Sequence, residues 1–191
     1  MSERLSAKIE LKTDDGIIFV QMYFGPSGSC VVVSAPLTDA IPFVRMHSSC
    51  LFSESFGAID CDCSRQLRRS IALIAQEGGY VIYRYDEGRG TGLEHKIASI
   101  SLQQSLGIDT KEAFEALGKP ADPRSYEVEI AAMKYLQIGE KVRLLTNNTA
   151  KLDALSSEGF SPFRESLVID GGKEVQKYFR EKVDCLNHLH E

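Results

Sequence analysis

RQLRRSIALIAQEGGYVIYRYDEGRGTG, residues 65–92, carries three structural signals in succession. Leu67, Ile71 and Ile74 recur at the i, i+4, i+7 spacing of a buried helix face, and Gly78-Gly79 ends that run. Tyr80 to Tyr85 is a short β-branched and aromatic run that reads as a strand. Asp86 to Gly92 then holds three glycines in seven residues, the composition of a loop. A helix, a strand and a loop in this order predict an α/β unit.

The same grammar continues downstream. Leu93 to Leu106 reads as a helix closed by Gly107, and Asp109-Thr110 offers N-caps for a short helix ending near Gly118. Tyr126 to Ile138 is an amphipathic helix, Lys141 to Leu145 a strand, Thr146 to Thr149 a polar turn and Ala150 to Glu158 a helix. A last strand is expected near Leu167 to Ile169, then a C-terminal helix from about Lys173, with the final four residues frayed. Upstream, Ile9 to Lys12, Ile17 to Phe24, Cys30 to Ala35 and Ile41 to Met46 read as strands, and their spacing predicts an antiparallel meander. The expected fold class is α/β (α+β): N-terminal antiparallel strands followed by a mixed sheet packed with helices. With no repeat or linker, residues 1–191 are expected to form a single domain.

Hydrophobic residues at 43% and charged residues at 26% supply a full core and exclude a disordered or disulfide-stapled chain. No run approaches the roughly 18 apolar residues that span a bilayer, and Met1 to Lys8 has no apolar leader core. A cytoplasmic protein without a membrane partner is expected. The net charge of −5 lacks the broad positive field of a nucleic-acid binder, so any phosphate ligand must meet locally concentrated cations.

Three of the five cysteines, Cys50, Cys61 and Cys63, fall within 14 positions. In a reducing compartment such a cluster reads as metal-binding or catalytic. Three thiolates plus a water is the arrangement of a catalytic zinc, whose charge lowers the pKa of water to about 7. His47 as a fourth ligand would close the site, and structural zinc or chance clustering also satisfy the spacing. Cys30 and Cys185 lie in or beside apolar stretches and are expected to be buried, unreactive thiols.

Further signals are individually weak. The loop Asp86 to Gly92 suits either a tight turn or close backbone approach to an anion. Leu144 to Lys151 feeds polar residues and a lysine onto a helix start, which serves a phosphate or simple capping. Asp122-Pro123-Arg124 fixes a carboxylate against a guanidinium, and on its own reads as a solvated surface pair. Arg68 and Arg69 are expected on a solvated helix face.

Together, Val44 to Cys50, Asp60 to Leu67, Glu87-Gly88-Arg89-Gly90, Asp122-Pro123-Arg124 and Arg143 to Asn148 resemble the GTP cyclohydrolase II family, the zinc enzymes that open the guanine ring in riboflavin synthesis. The resemblance runs over roughly residues 7–170. It implies one Zn²⁺ per chain on Cys50, Cys61 and Cys63, with Mg²⁺ accompanying the triphosphate. It implies a GTP site lined by Arg45, Met46, His47, Ser48, Ser49, Gln66, Glu87, Gly88, Arg89, Thr110, Thr146 and Lys151. Asp122 would accept a proton. Arg124 is the residue to which the family assigns attack on the α-phosphate, although an arginine stays protonated and suits an electrostatic clamp better. A homodimer is implied. The expected reaction opens the imidazole ring at carbon 8 and releases pyrophosphate and formate.

Four residues depart from the family pattern: Ser49 stands for Glu, Ser64 for Gly, Asp86 for Gln and Ile100 for Tyr. Ile100 also continues the Leu93, Ile97 stripe of its helix, so core packing is its expected role. Without the phenol, a second outcome is a member that opens the ring but retains the formyl group, or acts on another nucleobase. A third is a non-catalytic sensor that binds zinc and nucleotide.

Overall fold

A computed structural model of the chain describes residues 2–120 and 122–167. One eight-stranded sheet organises them. β1 (Arg4–Leu5) and β2 (Ile9–Thr13) pair with successive stretches of β3 (Gly16–Gly25), which pairs with β4 (Gly28–Ala35), all antiparallel. β5 (Phe43–Ser48) leads through the short α1 (Leu51–Glu54) and α2 (Cys63–Glu77) into β6 (Gly79–Arg84). Then come α3 (Leu93–Leu106), α4 (Thr110–Ala116), α5 (Glu127–Tyr135), β7 (Lys141–Leu145), α6 (Thr149–Ser157) and β8 (Ser161–Glu165).

The fourth N-terminal strand departs from the expected meander. β5 does not pair with β4; β6 lies between them, antiparallel to β4 and parallel to β5. The cause is α2: a strand followed by a crossover helix returns parallel to itself, which a hairpin cannot do. The described residues also hold a strand that was not expected, Ser161–Glu165, with Leu167 buried beyond it. Pro162 disguises this strand in the sequence, yet it is tolerated there because, among the described residues, β7 is the one partner of β8. The strand expected near Leu167 to Ile169 falls, beyond Leu167, outside the described residues, as do the C-terminal helix and Cys185.

Strand alternation feeds two cores. Val32, Val44, Met46, Ile82, Val142 and Leu144 point to one face, where α5 supplies Val128, Ile130, Ala132 and Met133 and α6 supplies Leu155. Their neighbours Val33, Phe43, Val81 and Leu145 point to the other, where Leu67, Ile71 and Ile74 of α2 cover them. The predicted α2 stripe is thus a core face, and Arg68 and Arg69 are exposed as expected. Cys30 is fully buried, and burial pushes its thiol up to about 12, as befits an unreactive group.

α3 behaves differently. Ser99 is its one buried residue, and Ile97 is 51% exposed. The Leu93, Ile97, Ile100 stripe is therefore no core face: among the described residues α3 packs chiefly on α4 and the glycine loop. Ile100 is half-buried at the wall of a cleft.

Candidate active site

β5, β6 and β7 run parallel, so their C-terminal ends emerge on one edge of the sheet. The chain passes from β5 to β6 on one side of β5 and then returns to β7 on the other, and ligands of open α/β sheets bind at such a switch. A cleft of about 540 Å³ lies there. Its walls include Arg45, His47, Ser48, Ser49, Cys50, Cys61, Cys63, Gln66, Gly88, Arg89, Thr110, Arg124, Thr146 and Lys151, so most of the residues expected from the sequence meet in one place.

The three cysteine sulfurs lie within 4.8 Å of one another, with Cys50 and Cys61 3.7 Å apart. Thiolates sharing a tetrahedral zinc at about 2.3 Å stand about 3.8 Å apart, so these donors fit the ion. Hydrogen bonds from the Cys50 and Cys63 thiols hold Cys61 far below the usual thiol range, against the opposing effect of burial. His47 does not join them. Its Nε2 lies 3.0 Å from Glu54 Oε1, and its Nδ1 faces the Arg45 guanidinium at 3.5 Å. Burial pulls the imidazole down to about 4, while Glu54, whose burial opposes ionisation, is held below its ordinary value by hydrogen bonds from His47 and Tyr83. The consistent assignment is a neutral His47 donating from Nε2 to an ionised Glu54. Glu54 also accepts from the Cys50 backbone N–H at 2.9 Å and the Tyr83 hydroxyl at 2.7 Å, which anchors the first cysteine.

Cations line the same cleft. Arg45 donates to Leu145 O at 2.8 Å and Gln66 Oε1 at 2.6 Å, and burial pulls it down to about 10. Gln66 donates in turn to Asp62 Oδ2 at 2.5 Å, leaving each end of its amide one further hydrogen-bonding position. Lys151, 6% exposed, donates to Met46 O at 2.7 Å. Burial and the neighbouring Arg45 and Arg124 hold its ammonium well below the ordinary lysine value. Asn148 caps α6 by accepting from Ala150 N–H at 2.9 Å, which sets Lys151 in the first turn.

Asp122 and Arg124 form a two-pronged ion pair, Nε to Oδ1 at 2.7 Å and Nη2 to Oδ2. Arg124 also reaches the Ser48 hydroxyl at 3.3 Å. Arg124 thus belongs to the cleft wall, and Asp122, which does not itself line the cleft, backs it in a part-buried pair that Pro123 alone could not disclose. Burial pushes the Asp122 carboxyl up, but the Arg124 fork outweighs it and holds the group ionised.

Besides Asp122, two expected residues do not line the cleft. Met46 is 1% exposed with its side chain in the core, and only its carbonyl reaches the site, through Lys151. Glu87 turns its carboxylate into the protein, accepting from Leu51 N–H and from Lys96 Nζ at 2.7 Å. The loop that follows is held in left-handed backbone at Gly88 (φ 58°) and Arg89 (φ 56°), and a Cβ at position 88 would stand 2.9 Å from the Thr91 hydroxyl. Sequence reasoning missed Glu54, Tyr83 and Lys96. Nothing in a lone glutamate, tyrosine or lysine marks it as a support for the cysteine site, whether it lies four residues from Cys50, as Glu54 does, or far along the chain.

The family model described as GTP cyclohydrolase II matches residues 4–162. The chain is 37% identical over 189 residues to GTP cyclohydrolase-2 of Helicobacter pylori (strain P12), covering 97% of each. It is 39% identical over 190 residues to GTP cyclohydrolase-2 of Helicobacter acinonychis (strain Sheeba), again covering 97% of each. Riboflavin biosynthesis protein RibBA of Bacillus cytotoxicus is 40% identical over 154 residues, 80% of this chain and 38% of that protein. A parallel-edge cleft that gathers three cysteine sulfurs and several cationic side chains offers a possible metal site beside an anion-compatible surface. The chain belongs to the GTP cyclohydrolase II family, and it is a GTP cyclohydrolase II-like hydrolase. Among the described residues no helix is long and apolar enough to cross a membrane.

Proposed function

We propose that this protein hydrolyses GTP for riboflavin synthesis, opening the guanine imidazole ring at carbon 8 and releasing formate and pyrophosphate. The product is 2,5-diamino-6-ribosylamino-4(3H)-pyrimidinone 5′-phosphate. The observation that carries the reading is the placement of three metal-competent sulfurs and four cationic side chains, Arg45, Arg89, Arg124 and Lys151, in one cleft.

Cys50, Cys61 and Cys63 would hold Zn²⁺, which supplies, when bound, a Lewis acid able to lower the pKa of water at neutral pH. The protein's own groups divide the remaining work. Gln66, fixed by Arg45 and Asp62, presents its remaining amide positions to the guanine edge. Lys151, desolvated and backed by like charges, gains most from an arriving phosphate, and Mg²⁺ would neutralise the leaving pyrophosphate. Arg124, oriented by the ionised Asp122, clamps the phosphoryl oxygens beside Ser48, and Asp122 accepts the proton that the attacking water gives up. Ser49, Gly88, Thr110 and Thr146 complete the nucleotide envelope.

One observation favours a second outcome on the same substrate. Ile100, standing where the family resemblance implies Tyr, lines the cleft and offers no hydroxyl, so the formyl group could remain on the product. Mass spectrometry of products from zinc-loaded protein with GTP and Mg²⁺ tests both. Formate with pyrophosphate supports the first outcome. Pyrophosphate with a retained formyl group supports the second, and Ile100→Tyr should then raise the formate yield. GTP returned unchanged overturns the reading.

A further inference from the structure

Lys96, in the first turn of α3, has no role in the proposed reaction, yet it touches two elements of the cleft. Its Nζ lies 2.7 Å from Glu87 Oε2 and 3.3 Å from Cys50 Sγ, and the ammonium sits 4.6 Å from the centre of the Phe52 ring. The other oxygen of Glu87 accepts from the backbone N–H of Leu51, the residue after Cys50. Glu87 opens the glycine loop whose Gly88 and Arg89 line the cleft. A single carboxylate–ammonium pair therefore joins the loop to the sulfur of Cys50 and to the backbone beside it.

We infer that Lys96 is a positioning residue that ties the Cys50 sulfur to the Glu87–Gly90 loop and draws charge from that sulfur. An ammonium has three donors and no acceptor, so one N–H can serve Glu87 and another the sulfur at the same time. Three thiolates around a divalent ion carry a net negative charge and donate strongly, which weakens the ion as a Lewis acid. A charge-assisted hydrogen bond to one sulfur offsets this, and groups contacting a ligand commonly tune a metal by such bonds. Phe52 and the half-buried setting hold the ammonium away from bulk water, where the bond would be screened. The second consequence is mechanical. Arg89 cannot move with its loop without pulling on Glu87, and Glu87 cannot move without disturbing the Cys50 sulfur. The inference rests on the metal-dependent reading proposed above.

The test compares Lys96→Met, which keeps the apolar stem and removes the donors, with Lys96→Arg, which restores charge and donors. The readouts are the thiolate-to-metal charge-transfer band of the Co²⁺-loaded protein, and kcat and KM for GTP of the Zn²⁺-loaded protein. The expected result for Lys96→Met is a charge-transfer band at longer wavelength, because the sulfur is more electron-rich, with kcat lowered by about ten- to a hundredfold and KM held. Lys96→Arg should return the band and recover most of kcat. A Lys96→Met spectrum superimposable on that of the parent overturns the inference. So does a raised KM with kcat and band unchanged, which would make Lys96 a substrate-binding cation. Should Lys96→Met fail to fold by circular dichroism, Glu87→Gln decides: it retains an acceptor for Leu51 and weakens the hold on Lys96, so a smaller shift in the same direction is expected, and no shift overturns the inference. A parent protein that takes up neither Co²⁺ nor Zn²⁺ overturns the metal-dependent reading itself, which separates that failure from this one.

Discussion

The antiparallel wing, β1 to β4, and the parallel half, β5 to β8, share one sheet but are put to different use. Every residue of β2 is exposed or half-exposed, and Ile9, Leu11 and Ile17 of the hairpin face outward, whereas five of the six residues of β5 are buried. Antiparallel strands alternate direction, so the ends of neighbours lie at opposite edges. Parallel strands bring all their C-terminal ends to one edge, and there residues 45–50, 86–92 and 146–151 meet despite lying far apart in the chain. The wing, by contrast, contributes none of the cleft residues. The difference teaches that the wing's task is to cover the edge of β6 and extend the core, while the chemistry depends on the parallel register.

The largest expected effect tests the cysteine floor. Cys61→Ser removes one of three sulfurs and should abolish stoichiometric zinc binding, with activity falling by more than about a hundredfold, while secondary structure is retained. Atomic absorption after gel filtration, together with a turnover assay, checks it. Full zinc content in that variant would show that the parallel edge does not build its metal site from these cysteines.

Next comes the seam at β5 and β6. Gly79 pairs with Phe43 at φ 136°, and a Cβ there would stand 2.1 Å from the Phe43 carbonyl oxygen. Gly79→Ala must therefore push the paired parallel strands apart and adopt a strained backbone, costing about 3 kcal/mol. A urea midpoint unchanged from the parent would remove the parallel register from its place in the comparison.

Much of this architecture was legible beforehand, and the exceptions share a cause. The helix of residues 93–106 and its Gly107 cap were readable because capping is local chemistry, and Gly107 does adopt left-handed backbone. The strand Ser161–Glu165 was not, because Pro162 masks a strand whose place beside β7 is a tertiary fact. Likewise Ile97 and Ile100 satisfy a helical stripe, but whether a stripe meets a core or a cleft depends on what α3 packs against. The cysteines, Arg45, Gln66, Arg124 and Lys151 were legible as members of a motif set. Glu54 and Lys96 were not, since each acts through a contact that only the folded chain creates.

A third effect of similar size is read through pH in the metal-free protein. His47 falls to about 4 when folded, against about 6.5 when unfolded. The unfolded chain therefore binds the proton first as pH falls, so stability drops between about pH 6.5 and 4 by roughly 3 kcal/mol from this group. Glu54, held below its ordinary value, adds its own loss only at lower pH. Urea unfolding across that window should show the slope in the parent and a flatter curve in His47→Gln. Equal slopes would mean that the imidazole is not buried neutral beneath the cleft.

The smallest effect belongs to the wing. Leu11, 43% exposed on β2, pairs with Ile18 on β3 and touches no residue of the cleft. Leu11→Thr keeps a strand-forming side chain and removes little buried area, so stability should change by no more than about 0.5 kcal/mol and turnover should not change. This null result is informative because the wing is as continuous with the sheet as β5 itself. If turnover fell while the urea midpoint held, the outward face of β2 would be coupled to the cleft through β3 and β4. The wing would then belong to the working machinery, and the division drawn between the two halves would fail.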